Sequence, residues 1–258
     1  MMRFLLLLLV IISSHTQLYS NETPFEFKNV GIQNKIESSV TQNIYLTDEY
    51  DKVINLKDVI NDKPTIINFV YLNCPLLCHL LLDGLTDVIK KSDYRIADDY
   101  QILTISIDPK ESNENLKSYK RKYLNQLNIN NGWLFLKGSE KEIKKITEDF
   151  GFNYKYIKRT NDYSHSSAIF FYNDKIINYL EGVTFDKKTF DFSIMTSKPI
   201  KSFKEKVITY CYYFDPDNQT YSFMIFKILR LLCLITVCIL SIIIIQMLRK
   251  EKLLNKNE

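Results

Sequence analysis

Two cysteines separated by three residues, Cys74 and Cys78, are the side chains of this sequence best suited to chemistry. They bound the segment CPLLC, which directly follows a short β-branched and aromatic run that predicts a buried strand. Pro75 favours the first position of a helix, because its missing N–H would have no partner there. Both sulfurs are then expected at the N-terminus of that helix, where partial positive charge stabilises thiolate over thiol. Thiolates bind soft metal ions and exchange with disulfides, so the pair favours either chemistry.

The spacing of the pair disfavours several other sites. Oxidoreductases of the thioredoxin type use C-x-x-C, whereas three residues intervene here. A structural zinc site would need a second pair of ligands, which the neighbouring sequence lacks. A c-type haem site would need one residue fewer before His79. His79 is instead expected to be a partly buried side chain that points away from the sulfurs, about 100° further round the helix.

His165 is the candidate for a third ligand. It lies in the segment DYSHSSAIFF, just before a predicted strand. In a thioredoxin-like sheet this connection lies close to the N-terminus of the first helix, where a neutral imidazole completes a Cys₂His site. A single loop histidine is more often a solvated surface residue, so the position relative to the cysteines carries this prediction. Asp108 either orients a ligand or simply forms a turn before Pro109.

The elements that must position these side chains alternate between strands and helices. The segments TIINFVY, QILTISI and WLFL predict strands, and helical patterns follow each of them. Ser139 with Glu142 is a capping-box signature for one of these helices. A hairpin is predicted around Asn173-Asp174, and a short helix from about Asp186 to before Pro199. This order predicts an α/β, thioredoxin-like domain with a central mixed sheet flanked by helices.

Two apolar segments flank this domain. The N-terminal one has the layout of a secretory signal peptide, and a retained N-terminal anchor is the alternative. No residue from Leu231 to Leu248 is charged, which predicts a C-terminal transmembrane helix, and the basic residues that follow favour a cytoplasmic C-terminus. The expected segments are 1–20 (signal peptide or anchor), 21–54 (irregular lead-in), 55–200 (thioredoxin-like metal-binding domain), 201–226 (juxtamembrane segment), 227–248 (transmembrane helix) and 249–258 (cytoplasmic tail).

Composition argues against a globally disordered protein and against a nucleic-acid-binding protein. The chain has 258 residues, of which 46% are hydrophobic, enough for a sizeable core. Its net charge of +4 comes from scattered lysines, so it is not expected to bind nucleic acid. Cys233 and Cys238 lie inside the predicted transmembrane helix and are expected only to pack there. Cys211 lies just ahead of it, without an assigned role.

The segment FVYLNCPLLCHLLLDGL resembles the copper motif of the Sco/SenC family, and SIDPKESNENLKSYKRKYL resembles the segment that follows it there. GWLFLKGSEKEIKKITEDFGFNY and YSHSSAIFFYNDKIINYLEGVTFD are similar to later blocks of the family, and the likeness extends over about Asn55 to Leu248. It implies one copper ion, Cu(I) or Cu(II), held by Cys74, Cys78 and His165. Many members place an acidic residue directly before the histidine, whereas this chain has Ser164, with Asp162 three positions before His165.

What the resemblance implies is assembly of the copper centre of cytochrome c oxidase subunit II, by copper delivery, cysteine reduction or both. The leading hypothesis is a copper metallochaperone supplied by a copper donor protein. It would be anchored in the bacterial inner membrane, with its main domain on the periplasmic side. The alternative is a membrane-anchored thiol–disulfide oxidoreductase, in which Cys74 attacks and Cys78 resolves. A third possibility is a structural disulfide between these cysteines.

Overall fold

The computed structural model describes residues 30–41, 43–60, 63–74, 77–199, 212–215, 220–223 and 225–254. The predicted signal peptide or anchor over 1–20, the helix position of Pro75 and the role of Cys211 lie outside these ranges.

The order of strands and helices follows the predicted alternation. The strands are β1 (Gly31–Ile32), β2 (Tyr45–Thr47), β3 (Val53–Asn55), β4 (Thr65–Val70), β5 (Gln101–Ser106), β6 (Trp133–Leu136), β7 (Phe152–Asn153), β8 (Lys155–Ile157), β9 (Asp162–Ser164), β10 (Ala168–Asn173), β11 (Lys175–Glu181), β12 (Tyr212–Asp215) and β13 (Thr220–Phe223). The helices are α1 (Leu56–Ile60), α2 (Leu77–Lys91), α3 (Asn113–Leu127), α4 (Glu140–Asp149), α5 (Lys187–Ser197) and α6 (Ile225–Leu254).

The central sheet has five strands in the order β11-β10-β4-β5-β6. β4, β5 and β6 are parallel to one another, whereas β10 is antiparallel to both β4 and β11. The parallel strands are joined by helical crossovers, and the β10–β11 hairpin adds the antiparallel edge that its turn residues predicted. This confirms the predicted α/β architecture with a central mixed sheet in the thioredoxin-like arrangement.

β4 is buried on both faces, as a near-continuous apolar strand in the middle of a sheet should be. Ile66 and Val70 point into a core shared with α2, α3 and α5. Ile67 and Phe69 point into a second core shared with α1 and α4. The two-residue period of a strand produces this division, and it places the end of β4 between the two helical layers.

The helices begin where side-chain caps are available. The Ser139 side chain accepts from the Glu142 N–H at the start of α4, and that of Asp186 accepts from the Thr189 N–H at the start of α5. The capping-box prediction is only half confirmed, because the Glu142 carboxylate accepts from the Tyr45 N–H, 3.0 Å away, on β2. It thereby attaches the N-terminal segment to α4.

α2 packs unusually close to the segment that follows β11. A Cβ atom at Gly84 would lie 1.8 Å from the carbonyl oxygen of Val183, so only glycine permits this approach. The contact fixes α2 against the sheet, and α2 carries Cys78 in its first turn.

The C-terminal part of the described chain forms α6, which contains the predicted transmembrane segment 227–248. Judged by length and apolar character together, none of the helices within the described ranges qualifies as one able to cross a membrane. The prediction of a membrane-spanning helix therefore has no support from the structure. Cys233 and Cys238 are exposed on α6.

Candidate metal centre

The loop between β4 and α2 presents both cysteines. After β4 the chain makes a tight turn in which the Cys74 N–H donates to the carbonyl oxygen of Tyr71 over 3.0 Å. The Tyr71 N–H in turn donates to the sulfur of Cys78 over 3.3 Å. The backbone of Tyr71 therefore holds both ends of the CPLLC segment at the end of the central strand.

Cys78 is almost fully buried, with 1% of its surface exposed. Burial raises the pKa of its thiol, and the nearby Cys74 and Asp162 add to this, although the Tyr71 N–H works in the other direction. The sequence predicted that the helix N-terminus would favour thiolate here. For Cys78 burial opposes that effect, because desolvation raises the pKa of the thiol more than the Tyr71 N–H lowers it. A bound cation would stabilise the thiolate form of this sulfur.

His165 reaches this sulfur from the connection between β9 and β10. Its Nε2 atom lies 3.3 Å from the Cys78 sulfur, and its Nδ1 atom lies 2.7 Å from the carbonyl oxygen of Ser166. A carbonyl can only accept, so Nδ1 carries the proton and Nε2 presents its lone pair toward the sulfur. Burial lowers the pKa of His165, which favours this neutral state. Its ring also packs near Phe152, with the two centroids 5.9 Å apart.

Cys74 lies beside this pair without completing a cluster. It is half-buried, packs against the core cluster that contains Cys78, and has a free thiol, as Cys78 does. Among the described residues, no three His, Cys, Asp or Glu side chains lie close enough together to hold one metal ion. The structure thus brings Cys78 and His165 together, and leaves Cys74 adjacent.

The Cys78–His165 contact has the dimensions of two ligands on one metal ion. With metal–sulfur and metal–nitrogen bonds typical of zinc sites, a tetrahedral ion separates sulfur and nitrogen ligands by about 3.5 Å. The observed separation of 3.3 Å is close to that value, so an ion needs only a small adjustment to fit between them. An imidazole whose other nitrogen donates to a backbone carbonyl is also the usual arrangement of a ligating histidine.

The other candidates of the sequence have structural partners. His79 is half-buried, and its Nε2 atom lies 2.9 Å from the Tyr119 hydroxyl. Asp108 forms a turn, because its carboxylate accepts from the Lys110 N–H over 2.9 Å. Asp162 lies on β9, and its negative charge contributes to the pKa of both Cys78 and His165. Asp162 therefore acts on the site through its charge.

A cleft of about 660 Å³ opens next to the site. Tyr71 and Tyr163 line it, with their ring centroids 5.1 Å apart, and Phe152 extends it toward His165. Tyr71 carries no sequence signal for this role, because its contact with Cys78 is made by a backbone N–H that every residue except proline has. No residue-type signal could have revealed it.

The comparisons with known proteins agree with this architecture. The family model SCO1/SenC matches residues 33–191, which is more than half of the chain. The chain belongs to the SCO1/SenC family. No curated protein matches it at a significant level.

Solved structures share the fold at low sequence identity. A putative electron transfer protein from Aquifex aeolicus VF5 is 23% identical, with a TM-score of 0.58 over 66% of this chain and 98% of that one. A SCO1/SenC family lipoprotein from Bacillus anthracis str. Ames is 19% identical, with a TM-score of 0.52 over 62% of this chain and 95% of that one. BsSco, described with a disulfide switch, is 20% identical, with a TM-score of 0.52 over 66% of this chain and 99% of that one.

Proposed function

We propose that this protein binds one copper ion through Cys74, Cys78 and His165 and delivers it during assembly of the copper centre of cytochrome c oxidase. The observation that carries the proposal is the contact of 3.3 Å between the Cys78 sulfur and a neutral His165 Nε2 atom. Membership of the SCO1/SenC family supports it, and BsSco is described as a member of the Sco family of cytochrome c oxidase assembly proteins.

The chemistry of the donor atoms supports copper over harder cations. Two thiolate sulfurs and one imidazole nitrogen are soft to borderline ligands, which suit Cu(I) and disfavour magnesium or calcium. Cu(I) is stable with two sulfur ligands alone, and His165 adds the nitrogen that helps to hold Cu(II). In this proposal the thiols of Cys74 and Cys78 lose their protons on binding, so copper binding releases protons to solvent.

The unequal exposure of the ligands suits transfer of the ion. Cys78 is buried and bonded to the Tyr71 N–H, whereas Cys74 is half-buried on the loop. His165 is also half-buried, but its ring is held by the Ser166 carbonyl. A partner's thiolate can approach the more exposed side and replace Cys74 first. Ligand exchange of this kind moves the ion without releasing it into solvent.

In this proposal the copper domain of oxidase subunit II receives the ion from this protein. A separate copper donor protein supplies the ion to it. The domain is proposed to work on the extracytoplasmic side of a bacterial inner membrane, because the N-terminal sequence resembles an export signal. To test this location, alkaline phosphatase is fused after Pro199. This enzyme becomes active only after export, so an active fusion is expected. An inactive fusion that is nevertheless made in full would contradict the location.

A second candidate function is reduction of a partner disulfide, which the two adjacent free thiols favour. Cys74 would attack a partner sulfur, form a mixed disulfide and release the partner's first thiolate. Cys78 would then attack the Cys74 sulfur and release the second thiolate. The partner disulfide is reduced by two electrons, and a Cys74–Cys78 disulfide forms. His165 has no essential part in this sequence of steps.

The deciding experiment is copper titration of the full-length protein together with His165→Ala and the matched control His79→Ala. The reduced protein should take up one Cu(I) per chain, and after oxidation it should show thiolate-to-Cu(II) absorption. We expect His165→Ala to lose this absorption, while His79→Ala keeps a thiolate-to-Cu(II) band, because it removes an imidazole that is not one of the three proposed ligands.

Thiol exchange is measured on the same three proteins. Nearly unchanged exchange in His165→Ala would separate copper binding from the redox reaction. If His165→Ala keeps Cu(II) absorption, the ligand assignment is wrong. If the reduced wild-type protein retains no copper but reduces a disulfide substrate rapidly, the second function replaces the first.

A further inference from the structure

Helix α3 contacts the segment that leads into Cys74. The Tyr119 hydroxyl donates to the carbonyl oxygen of Leu72 over 2.7 Å. With its proton used there, its oxygen accepts from the Nε2–H of His79, 2.9 Å away. The rings of Tyr119 and His79 are stacked, with centroids 5.3 Å apart. One tyrosine therefore joins the cysteine loop to the first turn of α2.

Asn115, one helical turn before Tyr119, makes a second connection to the same loop. Its side-chain amide donates to the Asn73 side-chain oxygen over 2.9 Å, and also to a Glu111 carboxylate oxygen over 2.9 Å. Two N–H groups on one nitrogen allow both bonds at once. Asn115 thus bridges the residue before Cys74 to a carboxylate.

That carboxylate is itself firmly held. Glu111 is only 3% exposed, and its second oxygen accepts from the Ser106 hydroxyl at the end of β5 over 3.0 Å. The Ser112 N–H donates to its first oxygen over 3.1 Å. A buried carboxylate with three donors is a rigid anchor, because leaving any of its oxygens unpaired would be costly. The Asn115 bridge therefore ties the loop to the sheet itself.

These contacts bear on Cys74, which lies beside the Cys78–His165 pair. Cys78 and His165 already lie 3.3 Å from each other, and Cys74 does not complete a three-ligand cluster with them. The position of the Cys74 sulfur depends on the backbone of the two residues before it. α3 holds both of these residues, one through its carbonyl and the other through its side chain.

We infer that Tyr119 and Asn115 are positioning residues of the copper site: from two successive turns of α3 they hold Leu72 and Asn73, and so set the place of Cys74 relative to the Cys78–His165 pair. This inference rests on the proposed copper function. Burial raises the pKa of Tyr119 to about 12, so at neutral pH its hydroxyl keeps the proton that it donates. Outer-sphere partners of this kind change metal affinity by roughly 10- to 100-fold when they are removed.

The test uses Tyr119→Phe, with Tyr123→Phe as the matched control in the full-length protein. Both changes remove one hydroxyl from the same helix. The Tyr123 ring stacks on Trp133 with centroids 5.4 Å apart, and its hydroxyl bonds the Lys122 amine over 3.2 Å and the Asp83 side chain, neither of which belongs to the loop before Cys74. Cu(I) affinity is measured by competition with a coloured chelator, and the Cu(II) form is followed by visible absorption and electron paramagnetic resonance.

We expect Tyr119→Phe to weaken Cu(I) binding roughly 10- to 100-fold and to shift the thiolate-to-Cu(II) band. Tyr123→Phe should stay within about twofold of wild type with an unchanged spectrum. Asn115→Ala provides a second variant if Tyr119→Phe folds poorly, and it should change affinity and spectrum in the same direction. The spectrum distinguishes a positioning role from a purely structural one. A general loss of stability does not alter the ligand geometry of the molecules that remain folded.

Equal affinity and identical spectra for Tyr119→Phe, Asn115→Ala and Tyr123→Phe would overturn the inference while leaving the copper function intact. A wild-type protein that takes up no copper in the same titration would instead refute the proposed function. The two failures are therefore distinguishable within one experiment.

Discussion

Cys74 and Cys78 stand four residues apart in the sequence but lie in very different surroundings. Cys78 is buried and its pKa is raised, whereas Cys74 is half-buried at the loop. Thiolate fraction and access decide how fast a cysteine reacts. The two sulfurs should therefore behave as a reactive and a protected member of one pair.

Limited alkylation of the reduced, metal-free protein should modify Cys74 before Cys78. We expect a rate difference of about tenfold or more at neutral pH, since both burial and the raised pKa protect Cys78. Peptide mass mapping after short exposure to iodoacetamide measures both sites in one sample. The denatured protein is the control and should show nearly equal rates. Equal rates in the folded protein would contradict the environment described for Cys78.

The sequence could predict His165 as a partner of the cysteines, because strand order alone places its connection near the first helix. It could not predict how the ring is held. The Nδ1–H donates to the carbonyl of Ser166, the next residue, and that geometry depends on the local backbone. The contacts of His79 with Tyr119 could not be predicted from the sequence either, because these residues lie 40 positions apart on different helices.

Among the helices, α5 begins at an N-cap whose side chain is an ionised carboxylate, that of Asp186. Asp186 accepts from the Thr189 N–H over 2.9 Å, and this hydrogen bond lowers the pKa of the carboxyl. A carboxyl with a lowered pKa in the folded state stabilises the protein above its unfolded pKa, near 4. That contribution to stability is lost as the pH falls through the lower pKa that Asp186 has in the folded state.

We expect Asp186→Ala to reduce the free energy of unfolding by about 1 kcal/mol at pH 7. Asp186→Asn keeps an oxygen acceptor and should cost less, without the dependence on ionisation. Urea denaturation at pH 7 and pH 3 measures this, and the difference between wild type and Asp186→Asn should shrink at pH 3. A difference that is the same at both pH values would show that ionisation of Asp186 does not contribute.

The main strands and helices were predictable because each carries a strong local pattern. β4, β5 and β6 are apolar runs, and the α4 and α5 caps have side-chain signals. The pairing of the short strands β1 and β7 could not be predicted, since each has two residues and they lie more than 100 positions apart. Ile44 and Leu46, completely buried in the core, were likewise hidden in a segment whose mixed composition predicted an irregular lead-in.

At the scale of the whole molecule, copper binding should be visible as stability. A ligand that binds only the folded state stabilises it by about 2.7 kcal/mol at 100 times its Kd. For a domain of this size that corresponds to a Tm increase of about 5–10 °C. Differential scanning calorimetry of the reduced protein with buffered Cu(I) measures the shift.

The increase should disappear in Cys74→Ser and persist in a Cys233→Ser, Cys238→Ser double variant, whose sulfurs lie on α6. A Tm increase that Cys74→Ser retains would place the copper elsewhere on the chain.

The Cys78–His165 contact joins residues 87 positions apart, and β5, α3, β6, α4, β7, β8 and β9 lie between them. Closing so long a loop costs on the order of 4 kcal/mol of chain entropy, which only the folded sheet repays. At ordinary rates of synthesis, about 4–17 s separate the appearance of the second cysteine from that of the histidine. For that interval the nascent chain carries both thiols without His165, so its connectivity alone creates a period in which the three proposed ligands cannot act together.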